Sequence, residues 1–338
     1  MIRFLITSLL LATATYAFAQ TEEKEPPPQG WTIGAGIGLD LAQLLQINPR
    51  QGAGQNRLGF GSATNAFFNY RRDRVNWETN ALWQFGLQRL GSGVIAQGAA
   101  DKVPFQKEID DLRLNSKYGI SIKEDSKFFY TANLIFQSQA LPTYQYRNDN
   151  FPGNFVSDWR GRGITPTAKL FSPATINFAL GIDYKPSPAL SIFYSPLGTK
   201  FIIVANDSIA ARGVHGNEVS GEPVNGFFPE FKNVDAQLGS QALIKFAAAF
   251  KEEKGNFNST LGLYSNYLDS PQNIDIDWQN TISYELFSDV KLTALISIFY
   301  DDDIMVQVTD YDFPNGVNGL GKRVSITQQL LISYTKTF

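Results

Sequence analysis

Along residues 76–88 the side chains alternate in character. Trp77, Thr79, Ala81, Trp83, Phe85 and Leu87 are mostly apolar; Asn76, Glu78, Asn80, Gln84 and Gln88 are polar, with Leu82 and Gly86 as exceptions. A period of two predicts a β-strand with one apolar and one polar face. The pattern recurs. Leu112, Leu114, Tyr118, Ile120 and Ile122 oppose Arg113, Asn115, Lys117 and Ser121, and Ile176, Phe178, Leu180, Ile182 and Tyr184 oppose Asn177, Ala179, Gly181 and Asp183. Ile274, Ile276, Trp278, Ile282, Tyr284 and Leu286 oppose Asp275, Asp277, Gln279, Ser283 and Glu285. Such strands suit a soluble sheet with its apolar face inward, or a membrane barrel with its apolar face on lipid and its polar face on a lumen.

The connections arbitrate. Strands are predicted to start near Trp31, Arg57, Val75, Glu108, Lys127, Ala174, Ala189, Leu238, Asn256, Asn273, Val290 and Arg323. Tight links at 71–74, 123–126, 185–188, 252–255 and 288–289 alternate with long, Gly/Pro/Asn-rich links such as 141–172, 206–235 and 301–322. Short periplasmic turns alternating with long outer loops, on an even strand count, are the habit of bacterial outer-membrane barrels. The expected fold class is therefore all-β, a transmembrane antiparallel β-barrel of about 12 strands over residues 31–338. Both termini are expected in the periplasm.

The last strand adds a second signal. Leu330, Ile332, Tyr334 and the terminal Phe338 share one face. A final strand ending in Phe resembles the C-terminal insertion signal of outer-membrane proteins, so Phe338 is expected to be read by the barrel assembly machinery. Outer-membrane lipid and lipopolysaccharide are the other expected partners.

The amino terminus agrees on compartment. Met1-Ile2-Arg3 is a short basic head, an apolar run follows from Phe4, and Ala17-Phe18-Ala19 is an A-x-A cleavage pattern. Residues 1–19 thus read as a secretory signal peptide, and the charged, proline-rich stretch 20–30 as a disordered periplasmic leader. No later apolar run approaches the roughly 18 residues of a membrane helix. The chain has no cysteine, which removes lipoprotein anchoring, disulfides and thiolate chemistry. A net charge of −3 gives no footprint for nucleic acid.

Several stretches, "DDLRLNSKYG", "FSPATINFALGIDYKPSPALSIFYSPL", "NDSIAARGVHG", "LYSNYLDSPQNIDIDW" and "YDDDI", together resemble a Bacteroidetes family catalogued as domain of unknown function 3078. The likeness extends over nearly the whole mature chain, most specifically in the "DYKPSP…SPL" and "SNY…DIDW" blocks. It implies an outer-membrane location and carries over no activity, because the family has no assigned catalytic residues.

Candidate chemistry is sparse. His215, the only histidine, lies in the Gly-rich "GVHGNEVSG" and reads as a solvated loop residue, since a catalytic base must be held beside its nucleophile by packed structure. No catalytic residue and no cofactor are expected. Asp301 and Asp303, in an acidic run opening the final long loop, are hard oxygen ligands of the kind a cation takes, although the run lacks a calcium-loop pattern. Ser208, in "NDSI", matches a short O-glycosylation acceptor pattern. The most informative set is the one expected to line the lumen: Glu78, Arg113, Lys117, Asp183, Asp275, Asp277, Glu285 and Arg323. A barrel of about 12 strands is wider than one filled by its own side chains and narrower than the large porins. These charges therefore line a narrow pore for small polar solutes, or else pair across a closed core in a structural, partner-binding barrel.

Overall fold

The computed structural model of the protein describes residues 29–40, 45–47, 58–89, 105–144, 165–251, 254–310 and 317–337. The expected signal peptide, most of the expected leader and Phe338 lie outside these residues.

The chain begins with β1 (Gly30–Asp40), β2 (Leu45–Ile47), β3 (Leu58–Arg72), β4 (Val75–Arg89), β5 (Phe105–Ser121) and β6 (Phe128–Ser138). It continues through β7 (Ala174–Ser187), β8 (Leu190–Ile203), one helical turn, α1 (Asp207–Ala210), and a small hairpin of β9 (Val219–Ser220) and β10 (Glu230–Phe231). Then come β11 (Val234–Phe250), β12 (Gly255–Asn266), β13 (Asp275–Phe287) and β14 (Val290–Tyr300). A second hairpin, β15 (Val306–Thr309) and β16 (Val317–Gly321), precedes β17 (Ser325–Thr337).

Every stave of the main sheet pairs antiparallel with its neighbours, in the order β1-β3-β4-β5-β6-β7-β8-β11-β12-β13-β14-β17. The sheet closes on itself. The C-terminal half of β17 pairs with β1, Ile332 opposite Leu39 and Thr337 opposite Gly34. Its N-terminal part pairs with β2, Gln328 opposite Leu45. β1 and β2 thus share one stave position, and the barrel has twelve. Closure satisfies the ladder of both end strands, the condition for a sheet to cross hydrocarbon.

Short turns gather at one end with Gly30, which pairs with Arg71 beside the β3–β4 turn. Asp73 and Asp289 adopt φ of 49° and 63° in two of these turns, a left-handed conformation that aspartate tolerates. The long connections all leave from the opposite end. The expected alternation of turn and loop is therefore the observed one, and the strand starts agree with the expected positions within about four residues.

The apolar faces point outward. Leu180 is 59% exposed, Tyr130 62% and Ile332 55%, which in a lipid-facing wall is burial in hydrocarbon. Near the short-turn end Trp31, Tyr70, Trp77 and Tyr118 are successive ladder partners. Their rings touch at 5.0 Å (Trp31–Tyr70) and 6.3 Å (Trp77–Tyr118). This row has the amphipathic character of an interfacial aromatic girdle.

One inner-face position is less permissive than alternation suggests. Gly181 sits where the β7–β8 register shifts between Leu180 and Ile182, and a Cβ there would run into the Tyr194 carbonyl. Only glycine fits.

Leu180→Arg at mid-strand places a charge on the lipid face and should destabilise folding into bilayers by roughly 2–4 kcal/mol. Urea titration in phospholipid vesicles measures this, and an unchanged folding free energy would contradict the register.

Candidate functional site: a charge-braced lumen

The inner faces enclose a cavity of about 1320 Å³. Its wall runs from Arg74, Glu124 and Lys127 at the short-turn end to His215, Ile304 and Met305 beneath the long loops. Charged side chains cross this space and pair with staves on other sides of the barrel.

Arg113 on β5 is the longest brace. Its Nη1 donates to Asp277 Oδ2 at 2.5 Å, and its Nε to Asp111 Oδ2 at 2.6 Å. Five staves separate β5 from β13 in either direction, so this pair spans a diameter. Asp111 also accepts from Gln137. The pair is partly wet, with Arg113 12% and Asp277 32% exposed.

A second group lies nearer the short turns. Lys117 donates to Asp183 Oδ2 at 2.8 Å and to Ser191 Oγ at 2.6 Å, and both charged side chains are almost fully enclosed. Lys185 reaches Glu78 at 2.8 Å and Asp183 at 3.8 Å. Lys245, from β11, lies 3.8 Å from the other oxygen of Glu78. A third group stands at the loop end, where Lys200 donates to both Asp275 and Asp301 at 2.7 Å. Just above the lysine group, Ile135 packs against the inward-facing Ala179, Phe193 and Leu243, an apolar patch inside the lumen.

The described parts of the long loops cover the mouth opposite the short turns. α1 buries Ile209 and Ala210 against Ile202 and Val204, with Asn206 accepting from the Ile209 N–H as its N-cap. Asp110 fastens the β6–β7 loop at the rim by accepting from the Ala140 and Leu141 N–H groups and from the Trp83 indole. His215 forms an isolated bridge with Ile304, and its Nε2 lies 3.1 Å from the Thr167 carbonyl. It thereby joins three loops. The sequence suggested a solvated histidine; it is instead buried, and burial pushes its pKa down to about 4. It is neutral at ordinary pH and serves as packing.

The structure brings Glu78, Arg113, Lys117, Asp183, Asp275 and Asp277 into the lumen. Glu285 faces inward at the short-turn end, opposite Lys291. Arg323 does not join them. β17 starts only at Ser325, so Arg323 falls in the preceding loop, exposed, with its Nη1 on the Lys322 carbonyl. The acidic run also divides differently from expectation. Carboxylates of Asp275, Asp301 and Asp302 lie within 4.8 Å of one another, whereas Asp303 turns to Gln237. The Lys200 ammonium already sits between Asp275 and Asp301, doing the neutralising work of a cation. Burial together with Asp301 holds the Asp303 carboxyl above its usual pKa. Ser208 is exposed on α1.

Lys185, Lys200 and Lys245 were missing from the expected set. The signal was present for Lys200 and Lys245, which sit at alternate positions among apolar residues in "LGTKF" and "ALIKF". Lys185 lies inside a stretch read as a turn, because β7 continues through Pro186 to Ser187.

Comparison with known proteins adds the following. The profile of a family described as "Protein of unknown function (DUF3078)" matches residues 45–144. This is narrower than the resemblance drawn from sequence, and the "DYKPSP…SPL" and "SNY…DIDW" blocks fall outside it. No curated protein matches. Among solved structures, the COG4313 outer membrane channel from Pseudomonas putida F1 is similar at 12% identity and a TM-score of 0.39, covering 95% of this chain and 100% of that one. The Pseudomonas putida toluene transporter TodX is similar at 12% identity and 0.30, covering 91% and 90%. OmpT of Vibrio cholerae is similar at 8% identity and 0.30, covering 94% and 100%.

Lys117→Gln leaves Asp183 enclosed without its main counter-charge and should cost roughly 3–5 kcal/mol in urea unfolding in micelles. Arg113→Gln acts on a wetter pair and should cost clearly less. Equal, small losses would mean that the Lys117–Asp183 pair is hydrated.

Proposed function

We infer that the protein is a narrow outer-membrane channel for small polar solutes, with its long loops outside and its short turns and termini in the periplasm. The observation that carries this reading is the cavity lined from the short-turn end to the underside of the loops by polar and charged side chains. A barrel wall this wide, polar within and apolar without, separates water from lipid along its length. The braces set the size limit. Arg113–Asp277 divides the bore across a diameter, so solutes pass beside it, and the stitched loops gate the outer end. The chain supplies no nucleophile held against a base around His215 among the described residues, and no catalytic role is assigned.

A second reading is favoured by one observation. The Lys117–Asp183 and Lys200–Asp301 pairs are enclosed, as they would be in a non-conducting barrel that serves as a partner-binding subunit of an envelope complex.

Planar-bilayer recording separates the two. The channel reading expects a small conductance from the purified protein. Arg113→Gln should raise it and shift selectivity towards cations, because Asp111 and Asp277 are left facing the bore. Silence from both the native protein and the variant would favour the partner-binding barrel.

A further inference from the structure

The charges of the lumen are balanced unevenly along its axis. Towards the loop end acids outnumber bases: Arg113 meets Asp111 and Asp277, Lys200 meets Asp275 and Asp301, and Lys107 meets Asp110. Near the short turns the ratio inverts, with Lys117, Lys185 and Lys245 sharing Glu78 and Asp183. Lys117 and Lys185 hold the close contacts, both at 2.8 Å. Asn76 further occupies the Glu78 oxygen that Lys185 uses.

Lys245 is left over. It lines the cavity, and among the described residues its ammonium makes no hydrogen bond, only the 3.8 Å approach to Glu78. Its side chain keeps 20% exposure to the lumen, so this ammonium stands open to an anion that would accept its hydrogen bonds. The surroundings favour one kind of anion. Thr260, the direct ladder partner of Lys245, and Asn258 line the same stretch of cavity and offer a hydroxyl and an amide. Glu78 and Asp183 stand close enough to repel a dianion. Two residues further along β11 from Lys245, Leu243 begins the apolar patch, and both Leu243 and Ile135 face the cavity. Residues i and i+2 of a strand lie about 7 Å apart, so a carboxylate held at Lys245 carries a short alkyl tail towards the side chain of Leu243.

We propose that the lumen holds a binding site for a short-chain monocarboxylate, its carboxylate on Lys245 with Thr260 and Asn258, and its apolar tail against Ile135 and Leu243. The site deepens the channel reading and rests on the same cavity, naming a class of solute that pauses within it.

Calorimetry on the detergent-solubilised, full-length protein tests the site without requiring conduction. Sodium butyrate, sodium acetate and sodium chloride are titrated at equal ionic strength into the native protein and into Lys245→Met. The expected result is saturable butyrate binding, roughly tenfold tighter than acetate because two more methylenes are buried. Chloride should give none, and Lys245→Met should lose at least tenfold in butyrate affinity. Lys245→Arg, which keeps the charge, should retain binding and guard against a folding defect in the Met variant. Butyrate and chloride heats that cannot be told apart would overturn the proposal, as would butyrate binding that survives Lys245→Met. A protein that conducts yet shows no butyrate binding would refute this site while leaving the channel reading standing.

Discussion

Hydrocarbon offers no partner to a backbone N–H or C=O, and the rest of this structure depends on that constraint. A sheet that crosses a bilayer must leave no edge. Here the last strand, β17, completes its ladder on β1 and β2, the first two strands of the chain. That single seam joins the two ends of the fold. It brings Gly34, Gly36 and Gly38 of β1, enclosed positions without side chains, against β17. A Cβ at Gly38 would press on Leu331 and Ser333 at 3.3 Å, so the bare inner face lets the seam lie flat.

Closure then dictates where polarity goes. With side chains alternating across a wall whose outer face is lipid, the charged residues at the middle of the strands are driven inward. A lumen of limited width cannot hydrate them all, and an enclosed charge without a partner is costly. The fold answers with braces: Arg113 to Asp277 across the diameter, Lys117 to Asp183, and Lys200 to Asp275 and Asp301. The same contacts that make the interior tolerable narrow the lumen. Stability and the clear width of the lumen are thus set by one group of side chains, and the uneven sharing of acids and bases gives the lumen a polarity along its axis.

The wall was legible in the sequence because the relevant signal is local. Period-two alternation and turn length are read a few residues at a time, and the seam alone needed the whole chain. Inward direction was legible too, as for Glu78, Arg113, Lys117 and Asp277. Partner choice was not, because the tilt of the staves decides which inward residues meet; nothing in the spacing of Arg113 and Asp277, 164 residues apart, marks them as a pair. Loops were the least legible. His215 sits in a stretch whose glycines suggest a solvated turn, but Thr167 and Ile304, from two other loops, enclose it. Arg323 failed for a smaller reason, a strand that starts two residues later than the pattern suggested.

The account stands on one partition, water inside the wall and lipid outside it. The absence of cysteine makes that partition directly measurable. Single cysteines at Asn80 and Thr260, on the inner face, and at Leu180 and Ile332, on the outer face, can be exposed to a water-soluble maleimide with the protein folded in phospholipid vesicles. The account predicts that the two inner positions react while the two outer ones react only after the protein is unfolded. Labelling at Leu180 and Ile332 with Asn80 and Thr260 protected would contradict it.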